Sequence, residues 1–321
     1  MTPASIRGGK NPTVLVLGGS GFIGSRVVSS IAASGIKVPR VLSRRPDEMP
    51  LVPNAITVRG DITEAASLAP ALSGVDTVVH CAAYVGSDPQ LAREINEAGT
   101  HNVIEQSRRA GVRRIIYLST TAVYGSGPHR GVDEEAPGYH PASAASAGRA
   151  VAERLVLDGG GEVVRPNLVV GRGDRWVVPG LLKMMACDGG WPGDGSANLS
   201  IVTVEDLSAL IGGLVLAPAN PGRAHHGAYP EPITAAELLG AIAAAFNVPG
   251  PRYTTTGKRA RAALERAGFS AHQIDMVTAD HWYRSGGLWE LAGLTPPAPL
   301  AALRKLAAAY PALRRPGKEN S

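Results

Sequence analysis

A chain of 321 residues, 44% hydrophobic and 18% charged, can bury a full core as one large or two modest domains. No apolar run reaches the ~18 residues of a membrane span, and the formal charge of +5 is scattered over pairs such as Arg44–Arg45 and Arg113–Arg114, so neither a bilayer segment nor a nucleic-acid partner is expected. Two cysteines, Cys81 and Cys187, argue against a disulfide framework, the histidines show no metal-ligand spacing, and MTPASIRGGKNP lacks the apolar stretch of a signal peptide; a cytoplasmic α/β enzyme is the expected class.

The first element is the most telling. Val14, Leu15, Val16 and Leu17 form a β-branched and leucine-rich strand that runs into Gly18, Gly19, Ser20, Gly21, Phe22, Ile23 and Gly24, and a helix pattern follows to Ala33. Gly18 allows the tight turn, Gly21 lets backbone approach a pyrophosphate, and Gly24 lets the helix pack close to the strand. The helix N-terminus then directs unpaired N–H groups at the phosphates. Strand and helix patterns alternate from there. Lys37–Leu42 and Ala55–Val58 are predicted strands two and three, Glu64–Leu72 a helix, and Val75–His80 a buried fourth strand. Pro89–Ala110 is a long helix, Gly111–Thr120 the fifth strand, Ala147–Leu157 a helix, and Glu162–Val170 the sixth strand. Beyond Gly171 glycine- and proline-rich pieces separate short helices, with one return to the sheet near Leu199–Val204. The fold class is α/β, a Rossmann-type doubly wound parallel sheet with a smaller C-terminal substrate lobe. The expected domains are a dinucleotide-binding unit over 12–175 that is rejoined near 199–218, and a substrate lobe from 176–198 and 219–315; residues 1–11 and 316–321 are expected to be disordered.

Strand two ends in VLSRRPDE. An acid about 20 positions past the glycines would bond the ribose 2′-hydroxyl of NAD, whereas arginine there accepts a 2′-phosphate. The positions hold Ser43, Arg44 and Arg45, with Asp47 beyond Pro46, so NADP is the expected cofactor.

By strand five the chain resembles the extended short-chain dehydrogenase/reductase family, which includes nucleotide-sugar epimerases and 3β-hydroxysteroid dehydrogenases. The matching pieces are LGGSGFIG (17–24), GDIT (60–63), VDTVVHCAA (75–83), NEAGTHNVIE (96–105), YLSTTAVYG (117–125), VRPNLVVG (164–171) and VTVEDLSAL (202–210). The resemblance implies Asp61 and Ile62 against the adenine, Cys81, Ala82 and Ala83 along the dinucleotide with Leu118 nearby, and Pro166, Asn167 and Leu168 beside the nicotinamide. It implies Thr120, with Ser119, as the hydroxyl that polarises a substrate carbonyl. The family's Tyr-x-x-x-Lys pair is missing: with Glu153 in register, Ala145 stands at the tyrosine position and Arg149 at the lysine position. Arg149 keeps a charge that can bond the ribose, but it donates no proton, and a general acid is typically worth ~10²–10⁴ in rate.

Three functions follow. One is an NADPH-dependent ketoreductase whose proton comes from water, from Tyr84, Tyr124, Tyr139 or His140, or from an acidic hydroxyl on the substrate. The others are a catalytically silent NADP-binding sensor or scaffold, and an epimerase, dehydratase or isomerase. Large apolar groups in the second lobe, among them Trp176 and Trp191, with Tyr84, Tyr124 and Ala145, are expected to line the substrate pocket. The combination is similar to ketoreductases of aromatic polyketide, angucyclinone-type, antibiotic pathways. The partner is a small-molecule ketone, and the residues do not decide between monomer and homodimer.

Overall fold

The computed structural model describes residues 11–48, 54–135, 138–254 and 257–313; the lead 1–10 and the tail 316–321 lie outside them. Seven parallel strands form the main sheet: β1 (Val14–Leu17), β2 (Arg40–Ser43), β3 (Ile56–Arg59), β4 (Thr77–His80), β5 (Arg114–Leu118), β6 (Glu162–Arg165) and β7 (Ala224–His226). Their spatial order is β7-β6-β5-β4-β1-β2-β3, so the chain reverses direction across the sheet between β1 and β4. That reversal opens a crevice at the carboxyl ends of the strands, where doubly wound sheets bind ligands. Both faces are covered, and β1 and β4 are accordingly buried at every position.

Helix α1 (Phe22–Ala33) follows β1 and packs against α5 (Val204–Leu216). Their approach is close because Gly212 has no side chain: a Cβ there would come within 2.7 Å of Ser30 Oγ. On the opposite face α2 (Ala65–Leu72) packs against α3 (Gly99–Arg109). The long helix expected over 89–110 is one continuous rod in three windings, with a π-helical stretch at Ala92–Ala98 ahead of α3. Helix α4 (Ala144–Asp158) begins with a capping box in which Ser143 and Ser146 bond each other's amides.

Three expectations need correction. The sixth strand does not run from Glu162 to Val170; it breaks at Pro166, which has no N–H for the ladder, and Leu168–Val170 leaves the sheet to pair with Ile201–Thr203 in a separate two-stranded ribbon. The return near Leu199–Val204 is therefore to that ribbon, while the seventh strand of the main sheet is β7, inside a stretch read as a connection. Strand two starts at Arg40, after Pro39, instead of at Lys37.

The second lobe is built on a four-stranded sheet containing His129–Val132, Asn198–Leu199, Ile233–Thr234 and His281–Tyr283. One apolar core joins the two lobes. It takes in Val14, Val16 and Val28 from the main sheet and α1, and Leu199, Tyr229, Leu238 and Ile274 from the second lobe.

Candidate active site

The glycine turn is shaped as its residues require. Gly18 has φ +74°, and a Cβ on it would lie 2.6 Å from the amide of Ala82, so Cys81, Ala82 and Ala83 lie directly against the turn. A Cβ on Gly24 would overlap the carbonyl oxygen of Gly18. Gly21 differs, because its Cβ would meet nothing nearer than that carbonyl at 3.3 Å. It is the exposed N-cap of α1, which has no side-chain cap and no acidic residue in its first turn. Burial pushes the Cys81 thiol up to about 12, so it stands as a neutral wall. An uncapped helix N-terminus behind an open glycine is fitted to a pyrophosphate.

At the outer end of the crevice Ser43 Oγ accepts the amide of Arg45 at 3.2 Å, and Arg44 and Arg45 are exposed. The register places Arg59 of β3 beside Ser43, and its guanidinium bonds the Arg44 carbonyl at 3.3 Å and Asp47 at 3.2 Å. Asp47, the one acid that could have competed for a ribose, is thus held by Arg59. Asp61 Oδ1 accepts from the amide and hydroxyl of Thr63 at 3.0 and 2.9 Å, and Ile62 is buried.

The inner end is built by β5, the turn after it and α4. Successive residues of an extended chain face opposite ways. Ser119 is therefore buried, with no partner for its hydroxyl, while Thr120 is half-buried and caps the next turn by accepting from Ala122 N at 3.2 Å. Leu118 is a core residue that contributes only its carbonyl. Arg149 reaches this strand end: its Nη2 donates to Leu118 O at 2.5 Å and Ser119 O at 2.9 Å, where the ladder stops and carbonyls need donors. That guanidinium nitrogen is spent on β5. Ala145 stands one turn earlier on α4, half-buried, and is linked to the Tyr84 loop by Asn96, whose amide group bonds both backbone groups of Tyr84 (2.7 and 3.0 Å) and approaches Ala145 O at 3.5 Å.

Two tyrosines expected to reach substrate do not present a spare proton. Tyr124, 6% exposed, lies in a buried network: Arg165 Nη1 donates to its hydroxyl at 2.6 Å, and the hydroxyl meets His226 Nε2 at 2.8 Å. Burial pushes the Tyr124 phenol up to about 12. Tyr139 donates to Glu153 at 2.8 Å, and burial with that carboxylate raises its pKa further. Glu153 also pairs with Arg165, so this helix glutamate serves as a strut. Tyr84 is partly exposed and its oxygen accepts from Asp88 N at 3.1 Å; His140 is exposed. Pro166 is buried, and the Asn167 side chain is also structural, accepting from Thr121 Oγ1 at 2.8 Å and donating to the carbonyls of Ser200 and His281. Leu168 is core. The two tryptophans separate: Trp191 is buried, while Trp176 is 72% exposed on the loop after Val170.

A family model described as the NAD dependent epimerase/dehydratase family matches residues 14–220. The chain belongs to this family. Among curated relatives, the 3 beta-hydroxysteroid dehydrogenase/Delta 5→4-isomerase of Mycobacterium tuberculosis is 29% identical over 309 residues, covering 84% of this chain and 81% of that protein. The 2-alkyl-3-oxoalkanoate reductase of Stenotrophomonas maltophilia is 29% identical over 259 residues, covering 74% of this chain and 76% of that one. The fold matches the solved Bordetella bronchiseptica enzyme WbmH in complex with NAD+ at a TM-score of 0.72 and 21% identity, over 94% of this chain and 98% of that one. Family and cradle together assign a nicotinamide dinucleotide to the crevice. Among the described residues no helix is long and apolar enough to cross a membrane, and no group of three His, Cys, Asp or Glu could hold a metal ion.

Proposed function

We propose that the chain is an NADPH-dependent reductase of a bulky, apolar ketone. The observation that carries this reading is the pairing of an exposed, uncapped dinucleotide cradle with a half-buried threonine just past the end of β5, a strand end that Arg149 ties to the helix carrying Ala145 where an acid is expected. Hydride would pass from the dihydronicotinamide to the carbonyl carbon, the C=O π pair would move to oxygen, and the resulting alkoxide would take a proton. Thr120 can hydrogen-bond that oxygen but is too weak an acid to protonate it unaided. With the Tyr124 and Tyr139 hydroxyls engaged in buried bonds, the proton comes from solvent, from the substrate, or from the more accessible Tyr84 or His140, and the substrate is the source favoured here. A polycyclic aromatic ketone with a neighbouring phenol, of the aromatic polyketide kind, supplies both the proton and the polarisation. The names of the relatives, which specify hydroxysteroids and 2-alkyl-3-oxoalkanoates, support an apolar substrate. NADP is favoured over NAD by three arginines, Arg44, Arg45 and Arg59, around Ser43, and by the engagement of Asp47.

The test offers NADPH with two ketones that differ only in whether the adjacent phenol is free or methylated. The free phenol is expected to be reduced and its methyl ether to react slower by about the 10²-fold that a general acid supplies. Equal rates would remove substrate assistance. If tight NADPH binding persists while no ketone of an aromatic panel is reduced, the silent sensor becomes the better reading.

A further inference from the structure

The loop after Val170 carries an exposed cluster on a backbone held by five hydrogen bonds through two buried side chains. Asp174, 7% exposed, accepts the amides of Trp176 (2.7 Å), Val177 (2.9 Å) and Val178 (2.9 Å). Its second oxygen also accepts the Tyr310 hydroxyl at 2.7 Å, and the same hydroxyl accepts from Gly171 N at 2.8 Å. Tyr310 is buried and lies edge-on to Phe246. The backbone is thereby fixed from both ends by one buried carboxylate and one buried phenol. The amides opening helix Val177–Met185 are already filled by Asp174, so that helix end is not the anion site.

What the clamped loop displays is Arg172, Arg175 and Trp176, all exposed. Among the described residues neither guanidinium has a hydrogen bond or ion pair. The loop's position is set by Gly173, at φ +105°, where a Cβ would come within 3.1 Å of the Phe22 ring. Phe22 is the first residue of α1 and follows Gly21, the open point of the cradle. An exposed indole gains nothing from water, and a flexible loop would fold it away; here the clamp prevents that. A stiff loop that holds two unpaired cations and an aromatic face beside a phosphate-binding helix end has its ordering cost met before a ligand arrives.

We propose that Arg172, Arg175 and Trp176 form a preorganised outer wall over the bound dinucleotide, the guanidinium groups meeting its pyrophosphate and the indole covering one of its flat rings. The inference rests on the dinucleotide reading above. Guanidinium–phosphate pairs are charge-assisted and bidentate, and aromatic stacking adds to them.

Calorimetric titration of the full chain with NADPH separates the two claims. If the wild type does not bind, the cofactor reading itself fails. If it binds, Arg172→Ala with Arg175→Ala is expected to weaken affinity by about tenfold or more, the worth of a charged hydrogen bond. Trp176→Ala should weaken it by about threefold to tenfold, with Trp176→Phe restoring part of the loss. Tryptophan emission supplies a readout independent of activity: its quenching by bound NADPH should shrink markedly in Trp176→Phe. NADPH affinity and quenching both unchanged in these exposed-residue variants would overturn the wall. So would unchanged NADPH affinity with a raised KM for the ketone, because the loop would then serve the substrate.

Discussion

Tyr124 has the chemistry to act as an acid, but its hydrogen bonds leave it no spare proton. His226 Nδ1 lies 2.8 Å from the Arg284 carbonyl, which can only accept, so Nδ1 carries the proton and Nε2 is left to accept from Tyr124. Arg165 donates to the same phenol, and the ring is stacked on Tyr283. This arrangement requires a neutral imidazole, and burial holds His226 down to about 4. His80 is held down to about 3, by burial first and by the Arg149 charge second, with its Nε2 3.1 Å from Thr100 Oγ1. His272 and His281 are lowered in the same direction by burial. Below the ordinary value of 6.5 the unfolded chain therefore binds protons that the folded chain refuses, so stability falls as pH falls. We expect the urea midpoint to be level above pH 7 and to decline from pH 6.5 toward 5, before carboxylates titrate. His226→Gln, which keeps an acceptor for Tyr124, should flatten part of that decline. A midpoint that rises on acidification would mean that these rings are charged in the fold.

At the scale of elements, the β1 turn and α1 were legible because their strand, glycine turn and helix start are written in consecutive residues, although distant partners complete their packing. A strand of four apolar residues, glycines at the turn and at the close contact, and an uncapped helix follow one another without a gap. The glycines can be told apart by substitution. Gly24→Ala places a methyl on the Gly18 carbonyl and should lower the melting temperature of the free protein. Gly21→Ala, at an exposed position, brings its methyl 3.3 Å from the Gly18 carbonyl without the overlap found at Gly24, so the free protein should melt closer to the wild type than Gly24→Ala does while losing NADPH affinity by about tenfold or more, as a blocked backbone approach implies. Equal loss of melting temperature in both would show that Gly21 is packed and that the cradle is not open there. The elements that escaped the sequence are those fixed by distant partners. β7 is three residues, Ala224–His226, with no β-branched side chain to mark it, and it exists because Val163, Val164 and Arg165 present a free edge. Pro166 could have signalled the break after β6, since proline removes a ladder donor. Arg59 comes to stand beside Ser43 only through the β2–β3 register, which no spacing within one strand reveals.

For the whole molecule the sequence suggested two lobes, and composition does divide the chain after Gly171. Packing does not follow that division. The apolar core runs without a break from β1 and α1 through Val169, Val170 and Ile201 to Leu238, Ile242 and Leu303. Hydrogen bonds cross it as well: Tyr310, near the end of the described chain, bonds Gly171 and Asp174, and Asn167 bonds the carbonyls of Ser200 and His281. These contacts join residues from 33 to 139 positions apart, which is why they are invisible to any pattern read along the chain. A shared core of this kind has a thermodynamic consequence, because neither lobe can expose its inner face without exposing the other's. Thermal unfolding is therefore expected to be a single cooperative transition. Far-UV circular dichroism, dominated by the main sheet and its helices, and the emission of Trp282 and Trp289 in the second lobe should report the same midpoint. If NADPH is the cofactor, as proposed, it should raise both midpoints together by binding the folded state, by an amount set by the ratio of its concentration to its dissociation constant. Two separated transitions, or a cofactor shift confined to the circular dichroism signal, would mean that the second lobe melts alone and that the continuity of the core does not couple the two lobes.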